Sequence, residues 1–271
     1  MSATPRSAWP AAAQLKQCCA GFYGSDLARW LLADCWHPGG LALTRELAVQ
    51  LQLGPGSRLL DVACGTGASA LMIAASIGCQ VQGVDLSERN VEQARREAAA
   101  RGLSALAHFE LGDAEGLGGE AQRFDALLCE CALCTFPDKR AAAREFHRVL
   151  RVGGRLALSD VTRGAGTLEG LEDVAGWVAC LADALPLQTY ARQLQEAGFQ
   201  AVCAEDRSDT LQGLIEQIAA RLAAAELLAS LGHVPLTPGQ LQRARGMLAA
   251  AHEALRRGQL GYGVLSARRG A

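Results

Sequence analysis

The chain has 271 residues, half of them hydrophobic, which is enough apolar material for one large core or a core with a cap. A formal net charge of −2 supplies no general field attracting DNA, RNA or anionic lipid. No apolar run approaches the ~20 residues of a membrane span, and the first residues lack an apolar segment followed by a cleavage site. The expectation is a cytoplasmic protein that handles small molecules, without nucleic-acid or membrane partners; its oligomeric state stays open.

Residues 1–20 read as loosely structured or helical, and 24–36 as an amphipathic helix broken by HPGG at 37–40. A helix over 41–53 and a PGSR turn at 55–58 lead into a first strand at 58–63. A helix over 67–78, a strand over 80–85 and a helix over 87–101 follow, the last capped by Ser87 and stopped by Gly102. Further strands are expected at 107–113 and 124–131, then a helix over 138–150 ended by VGG at 152–154, then a strand at 155–161. Residues 163–184 suit a helical lid, 187–197 a helix and FQAVCAEDR a sixth strand. Two or three helices over 209–258, with a turn at 232–239, separate it from a last strand in GYGVLSARR. Alternating strands and helices predict an α/β fold, a Rossmann-like doubly wound sheet of seven strands.

The densest signal is LLDVACGTG at 59–67. An apolar strand runs into a turn holding Gly65 and Gly67 and then into a helix, so a ligand can lie against bare backbone. Eighteen residues after Gly67 a second apolar strand ends at Asp85, a carboxylate placed to accept from ribose hydroxyls. Ala70 stands where a dinucleotide fingerprint has its third glycine.

Together these features resemble the cofactor-binding half of class I S-adenosylmethionine (SAM) dependent methyltransferases. The resemblance implies SAM as cofactor and a last strand antiparallel to its neighbour. It implies a helical cover over 1–54, a core over 55–208, a helical insertion over 209–258 and a closing strand over 259–271. It places Asp61, Gly65 and Gly67 at the methionine part of SAM and Asp85 with Leu86 at the ribose. Asp113 falls at the adenine amino group with Ala114 beside the ring, and Cys129 near the cofactor. Tyr23, ahead of Gly24, closes over SAM or staples a helix. Ser69 and Asn90 are weaker candidates for cofactor contact.

The end of the fourth strand handles the acceptor in such a sheet. Here it carries Cys129, Glu130, Cys131 and Cys134. Ten cysteines are expected to be mostly thiols, and Cys131-x-x-Cys134 has no second pair at zinc-ribbon spacing. Cys79 and Cys203 read as core residues. The segment from Cys131 to Lys139, and Cys180-Leu-Ala-Asp-Ala-Leu185, resemble arsenite methyltransferases. That resemblance implies Cys131 and Cys180 as thiolate ligands of a trivalent metalloid substrate, with Cys134 and Glu130 alongside. Soft thiolates suit a soft, thiophilic centre. Each of these cysteines reads equally as a core thiol. The other reading is methyl transfer to carbon, oxygen or nitrogen of a small molecule, with His37, Glu130, His147 or Tyr190 as base. A SAM-binding protein without catalysis is the third.

Overall fold

The computed structural model describes residues 11–25, 37–166, 181, 183–230 and 237–270. The described elements run α1 (Ala12–Tyr23), α2 (Gly40–Leu51), β1 (Arg58–Val62), α3 (Ala68–Ile77), β2 (Gln80–Asp85), α4 (Glu88–Ala100) and β3 (Ala107–Leu111). They continue with β4 (Phe124–Glu130), α5 (Lys139–Val149), β5 (Leu150–Arg163), α6 (Leu187–Glu196) and β6 (Phe199–Asp206). The last are α7 (Ser208–Ser230), α8 (Pro238–Arg256) and β7 (Leu260–Arg269). Much of the helix expected over 24–36 and of the lid over 163–184, with Cys35 and Cys180, lies outside the described residues.

The strands form one sheet in the order β3-β2-β1-β4-β5-β7-β6. The first five pair parallel, and β7 pairs antiparallel with both β5 and β6. Strand alternation sends successive side chains to opposite faces. Leu59, Ala126 and Leu128 join a core layer with α2, α3 and α4. Leu60, Leu127 and Cys129 join a second layer with α5 and α6. Burial on both faces is what makes the central strands apolar throughout. The two helices between β6 and β7 add Leu211, Ile215, Ala251 and Ala254 to the first layer.

Local chemistry sets the ends. Ser87 caps α4 by accepting from the Asn90 backbone N–H. Thr237 and Gln240 form a reciprocal capping box at the start of α8. The VGG segment departs from its expected role: it lies inside β5, which begins at Leu150 directly after α5. Leu150 already pairs with Phe124, and a register shift before Ala126 absorbs the irregular stretch, with Gly153 at φ +75°. Cys203 is also corrected, because it is exposed on β6, an edge strand with one face in solvent. Among the described residues no helix is long and apolar enough to cross a membrane.

Candidate functional site

The sheet order reverses between β1 and β4, and the carboxyl ends of the strands there open into a crevice. The cleft is bounded by the ends of β1, β2 and β4 and roofed by α1 through Lys16, Cys19 and Tyr23. Its empty space, open mouth included, is about 1100 Å³.

One corner is made of backbone. Gly65 and Gly67 take φ of +53° and +82°. A Cβ on Gly67 would stand 2.8 Å from Phe109 Cζ and 3.0 Å from Ala94 Cβ, so only glycine lets α3 start this close to the sheet. Asp85 ties the turn together. Its Oδ2 accepts from the Gly65 N–H at 2.9 Å, and its Oδ1 from the Ser87 N–H at 2.8 Å and from Asn90 Nδ2 at 3.3 Å. Burial pushes its pKa up, opposed by those three hydrogen bonds. Asp61 is buried at the end of β1. Burial, and then the charges of Glu130 and Asp85, hold its carboxyl well above the usual range.

Two buried oxygens in this corner have no hydrogen-bond partner, Asp61 Oδ2 and Asn90 Oδ1. A buried acceptor left unmade is costly. Both residues line the cleft, so the partners that fit them are an ammonium and a hydroxyl as donors, with a sulfonium able to add charge but no hydrogen bond. SAM carries all three groups, and the corner fits it.

At the far end of this corner Leu86 and Ala114 line the cleft. Asp113 Oδ1 accepts from the Glu115 N–H at 3.0 Å, and its Oδ2 pairs with Lys16 Nζ of α1 at 2.7 Å. Lys16 also reaches Glu115 Oε2 at 2.6 Å. Burial lowers the Lys16 pKa, but the bonds to the two carboxylates and their charge outweigh it.

The other corner is made of side chains. Glu130, at the end of β4, is nearly buried and accepts from Ser69 Oγ at 2.6 Å and from Thr44 Oγ1 at 3.1 Å. His37 Nε2 lies 3.4 Å from Glu130 Oε2. His37 Nδ1 is 3.2 Å from the Pro38 carbonyl, which only accepts, so Nδ1 carries a proton and Nε2 faces the carboxylate.

Cys131 lines the cleft beside this group with φ of +54°. The left-handed backbone breaks strand alternation. Cys131 therefore packs against the first core layer, whereas Cys129 sits in the second. Cys129 is fully buried in the core and is not among the residues lining the cleft; nor are Gly67 and Cys134. Burial, with Asp160, Asp61 and Glu130 nearby, pushes the Cys129 thiol well up. Cys134 is held on a 3₁₀ turn, its N–H donating to Asp160 Oδ2 at 2.8 Å. Cys180 lies outside the described residues, so the expected meeting with Cys131 is not seen. The described residues hold no cluster of three or more His, Cys, Asp or Glu suited to a metal ion.

Two other base candidates have structural partners. Tyr190 is buried, its hydroxyl accepting from the Leu185 N–H at 3.1 Å and lying 3.4 Å from the Val161 carbonyl. His147 packs edge-on against Phe199, away from the cleft. Sequence reasoning missed Lys16 and Thr44. Thr44 did carry a signal, being the one polar residue on the buried stripe Leu43, Thr44, Leu47, Ala48, Leu51.

Comparison with known proteins follows the same lines. Residues 59–154 match the methyltransferase domain family. The chain is 34% identical over 204 residues to the 27-O-demethylrifamycin SV methyltransferase of Amycolatopsis mediterranei, covering 70% of this chain and 75% of that one. It is 32% identical over 180 residues to phosphoethanolamine N-methyltransferase 1 of Triticum aestivum, covering 66% of this chain and 35% of that one. It thus spans about a third of the phosphoethanolamine relatives it matches. Among solved structures, the [4+2]-cyclase SpnF aligns over 97% of this chain and 98% of its own, with TM-score 0.78 and 27% identity. The fold also matches a Haemonchus contortus phosphoethanolamine N-methyltransferase 2 in complex with S-adenosyl-L-methionine, with TM-score 0.78 and 18% identity, covering 99% of this chain and 62% of that one.

Proposed function

The chain belongs to the class I SAM-dependent methyltransferases, and we propose that it methylates a hydroxyl of a small organic acceptor. The reading is carried by one observation: His37 Nε2 stands 3.4 Å from Glu130 Oε2 in the cleft. SAM, when bound, supplies an electrophilic methyl group. Asp61, Gly65, Asp85, Leu86, Asp113, Ala114 and Tyr23 are the residues that would hold it. The hydroxyl proton passes to the His37–Glu130 pair as the oxygen becomes a nucleophile. Ser69 and Thr44 donate to Glu130 and hold it in this pair. General-base assistance of this kind is worth roughly 10²–10⁴-fold in rate.

The charge of the cleft narrows the acceptor. With Asp61, Asp85 and Asp113 on the cofactor side, the carboxylate left facing the acceptor is Glu130, while Lys16 is held by Asp113 and Glu115. A phosphorylated acceptor, of the kind named for the phosphoethanolamine relatives, would meet like charge. A neutral or cationic acceptor suits this lining.

A second reading rests on a separate observation. Lys139 Nζ pairs with Asp183 Oδ2 at 2.5 Å in a nearly buried bridge. The bridge joins the Cys131-to-Lys139 segment to residues 181–185, the two stretches that resemble arsenite methyltransferases. In that reading Cys131 and Cys180 hold a trivalent metalloid substrate whose lone pair attacks, and no base is needed.

The test is transfer of labelled methyl from SAM to arsenite, and to a panel of phenols, alcohols and amines with their phosphorylated counterparts. The proposal expects a labelled ether that His37→Ala and Glu130→Gln remove and Cys131→Ser retains. Arsenite methylation lost in Cys131→Ser and Cys180→Ser, but kept in His37→Ala, overturns it in favour of the metalloid. An acceptor consumed without label would place the chain with the chemistry named for the cyclase SpnF.

A further inference from the structure

The motif GYG at 261–263 belongs to the closing strand, and none of its residues lines the cleft. Its tyrosine nevertheless reaches the floor of the acceptor corner. Glu130 pairs with Ser159 across β4 and β5, and Ser159 pairs with Val264 across β5 and β7. Tyr262 stands opposite Val161, which makes it the diagonal neighbour of Ser159. Alternation puts Glu130, Ser159 and Tyr262 on one face, in a row across three adjacent strands. Ser159 and Tyr262 are fully buried, and the Tyr262 hydroxyl donates to Ser159 Oγ at 2.9 Å.

The same serine holds the end of β4. Its carbonyl accepts from the Cys131 N–H at 2.7 Å, at the residue whose φ of +54° turns the chain out of the strand. Cys131 then packs against the core layer that contains Tyr262. Burial, and then the nearness of Cys131, pushes the Tyr262 pKa well up, against the bond to Ser159. Tyr262 is itself fixed at both backbone groups. Its N–H donates to Ser208 Oγ at 3.2 Å, and its carbonyl accepts from the Arg207 N–H at 2.8 Å. Arg207 also pairs at 2.8 Å with Glu46 of α2, the helix that carries Thr44. Two supports of the Glu130 position, Thr44 on α2 and Ser159 on β5, are thus tied to the root of α7.

Stability alone does not call for this pair. Replacing both members of a buried hydrogen bond by apolar groups is nearly neutral, so phenylalanine and alanine would serve a core equally well. We infer that Tyr262 is a positioning residue for the acceptor corner: through Ser159 it fixes the turn at Cys131, and so the place of Glu130 against His37. The inference rests on the reading of the His37–Glu130 pair proposed above.

The test reads the turn and the chemistry separately, on the full chain. Alkylation by iodoacetamide, located at Cys131 by fragment mass mapping, reads the turn without any acceptor. Transfer of labelled methyl from SAM to the panel of phenols and alcohols reads the chemistry. Tyr262→Phe and Ser159→Ala should each speed alkylation of Cys131 and lower kcat, both about tenfold, with SAM affinity by calorimetry held within about twofold. The double variant leaves no buried polar group stranded, so it should regain the wild-type melting temperature yet keep both defects. A purely structural pair would regain all three. Tyr190→Phe, which removes a buried hydroxyl in the other core layer, should move neither readout. Wild-type alkylation of Cys131 in Tyr262→Phe would overturn the inference. So would faster alkylation with unchanged kcat, or recovery of both readouts in the double variant. Absence of transfer to every phenol and alcohol, or transfer that persists in Glu130→Gln, would instead overturn the reading of the pair, and the alkylation arm alone would then decide whether Tyr262 holds the turn.

Discussion

The two corners of the cleft are held together by different means. The cofactor corner is a turn of backbone clamped by Asp85, and its geometry follows from positive φ at Gly65 and Gly67. The acceptor corner is four side chains, His37, Thr44, Ser69 and Glu130, brought by a loop, two helices and a strand. A turn of this kind tolerates change in nearby side chains but not in its own glycines. A polar cluster tolerates backbone adjustment but loses its chemistry with one atom. Substitutions should therefore divide cleanly between binding and turnover.

The largest effect is expected at the acceptor corner. His37→Ala and Glu130→Gln should each lower kcat by roughly 10²–10⁴-fold while leaving SAM affinity within a few-fold. Steady-state kinetics beside calorimetry separates the two quantities. A fall in SAM affinity matching the fall in kcat would erase the division between corners.

At the cofactor corner, Gly67→Ala should reverse the pattern. The left-handed backbone and the clash with Phe109 and Ala94 together cost about 2–4 kcal/mol, and SAM binding should fall with stability. Chemical denaturation with and without SAM reads both. A variant with wild-type stability would mean that Phe109 can move aside.

The contrast also explains what the sequence could show. The cofactor corner is written in one stretch, 59–67, plus one strand end at Asp85, so spacing alone assembles it. The acceptor corner draws on residues 37, 44, 69 and 130, and only tertiary packing brings them together. Thr44 looked like one more helix residue, and Lys16 belongs to a helix whose docking no local pattern reports. The misplacement of Cys129 has a specific cause. The turn at Cys131 takes φ of +54° without a glycine to announce it, so the side chain of Cys131 leaves the face that holds Cys129.

Asp61→Asn should sharpen the comparison through pH. Burial raises the Asp61 pKa in the folded chain, so the native state binds more protons than the unfolded one. The resulting loss of stability is absent below the unfolded pKa of about 4. It grows as pH rises toward the folded value and stays constant above it. The asparagine variant lacks this cost, so without ligand it should melt higher than wild type at neutral pH and converge with it in acid. It should also bind SAM more weakly, because the unpartnered Oδ2 no longer carries charge to meet a cation. Melting curves at several pH values check the first, and calorimetry the second. A variant less stable at neutral pH would mean that Asp61 is compensated in the free chain.

The smallest effect belongs to the roof. Lys16 holds α1 over the far end of the cofactor corner through Asp113 and Glu115. The pair with Asp113 is partly open to solvent, and such bridges contribute roughly 0.2–1 kcal/mol. Lys16→Met keeps most of the aliphatic stem that packs against the cleft and removes the charge. It should speed dissociation of SAM a few-fold and leave kcat under saturating cofactor unchanged. Because the clasp is electrostatic, added salt should speed release from the wild-type chain toward the variant's rate and barely affect the variant. Stopped-flow displacement of a fluorescent SAM analogue at two salt concentrations reads this. Equal salt dependence in both proteins would show that the apolar contacts of Cys19 and Tyr23, rather than Lys16, keep the roof closed.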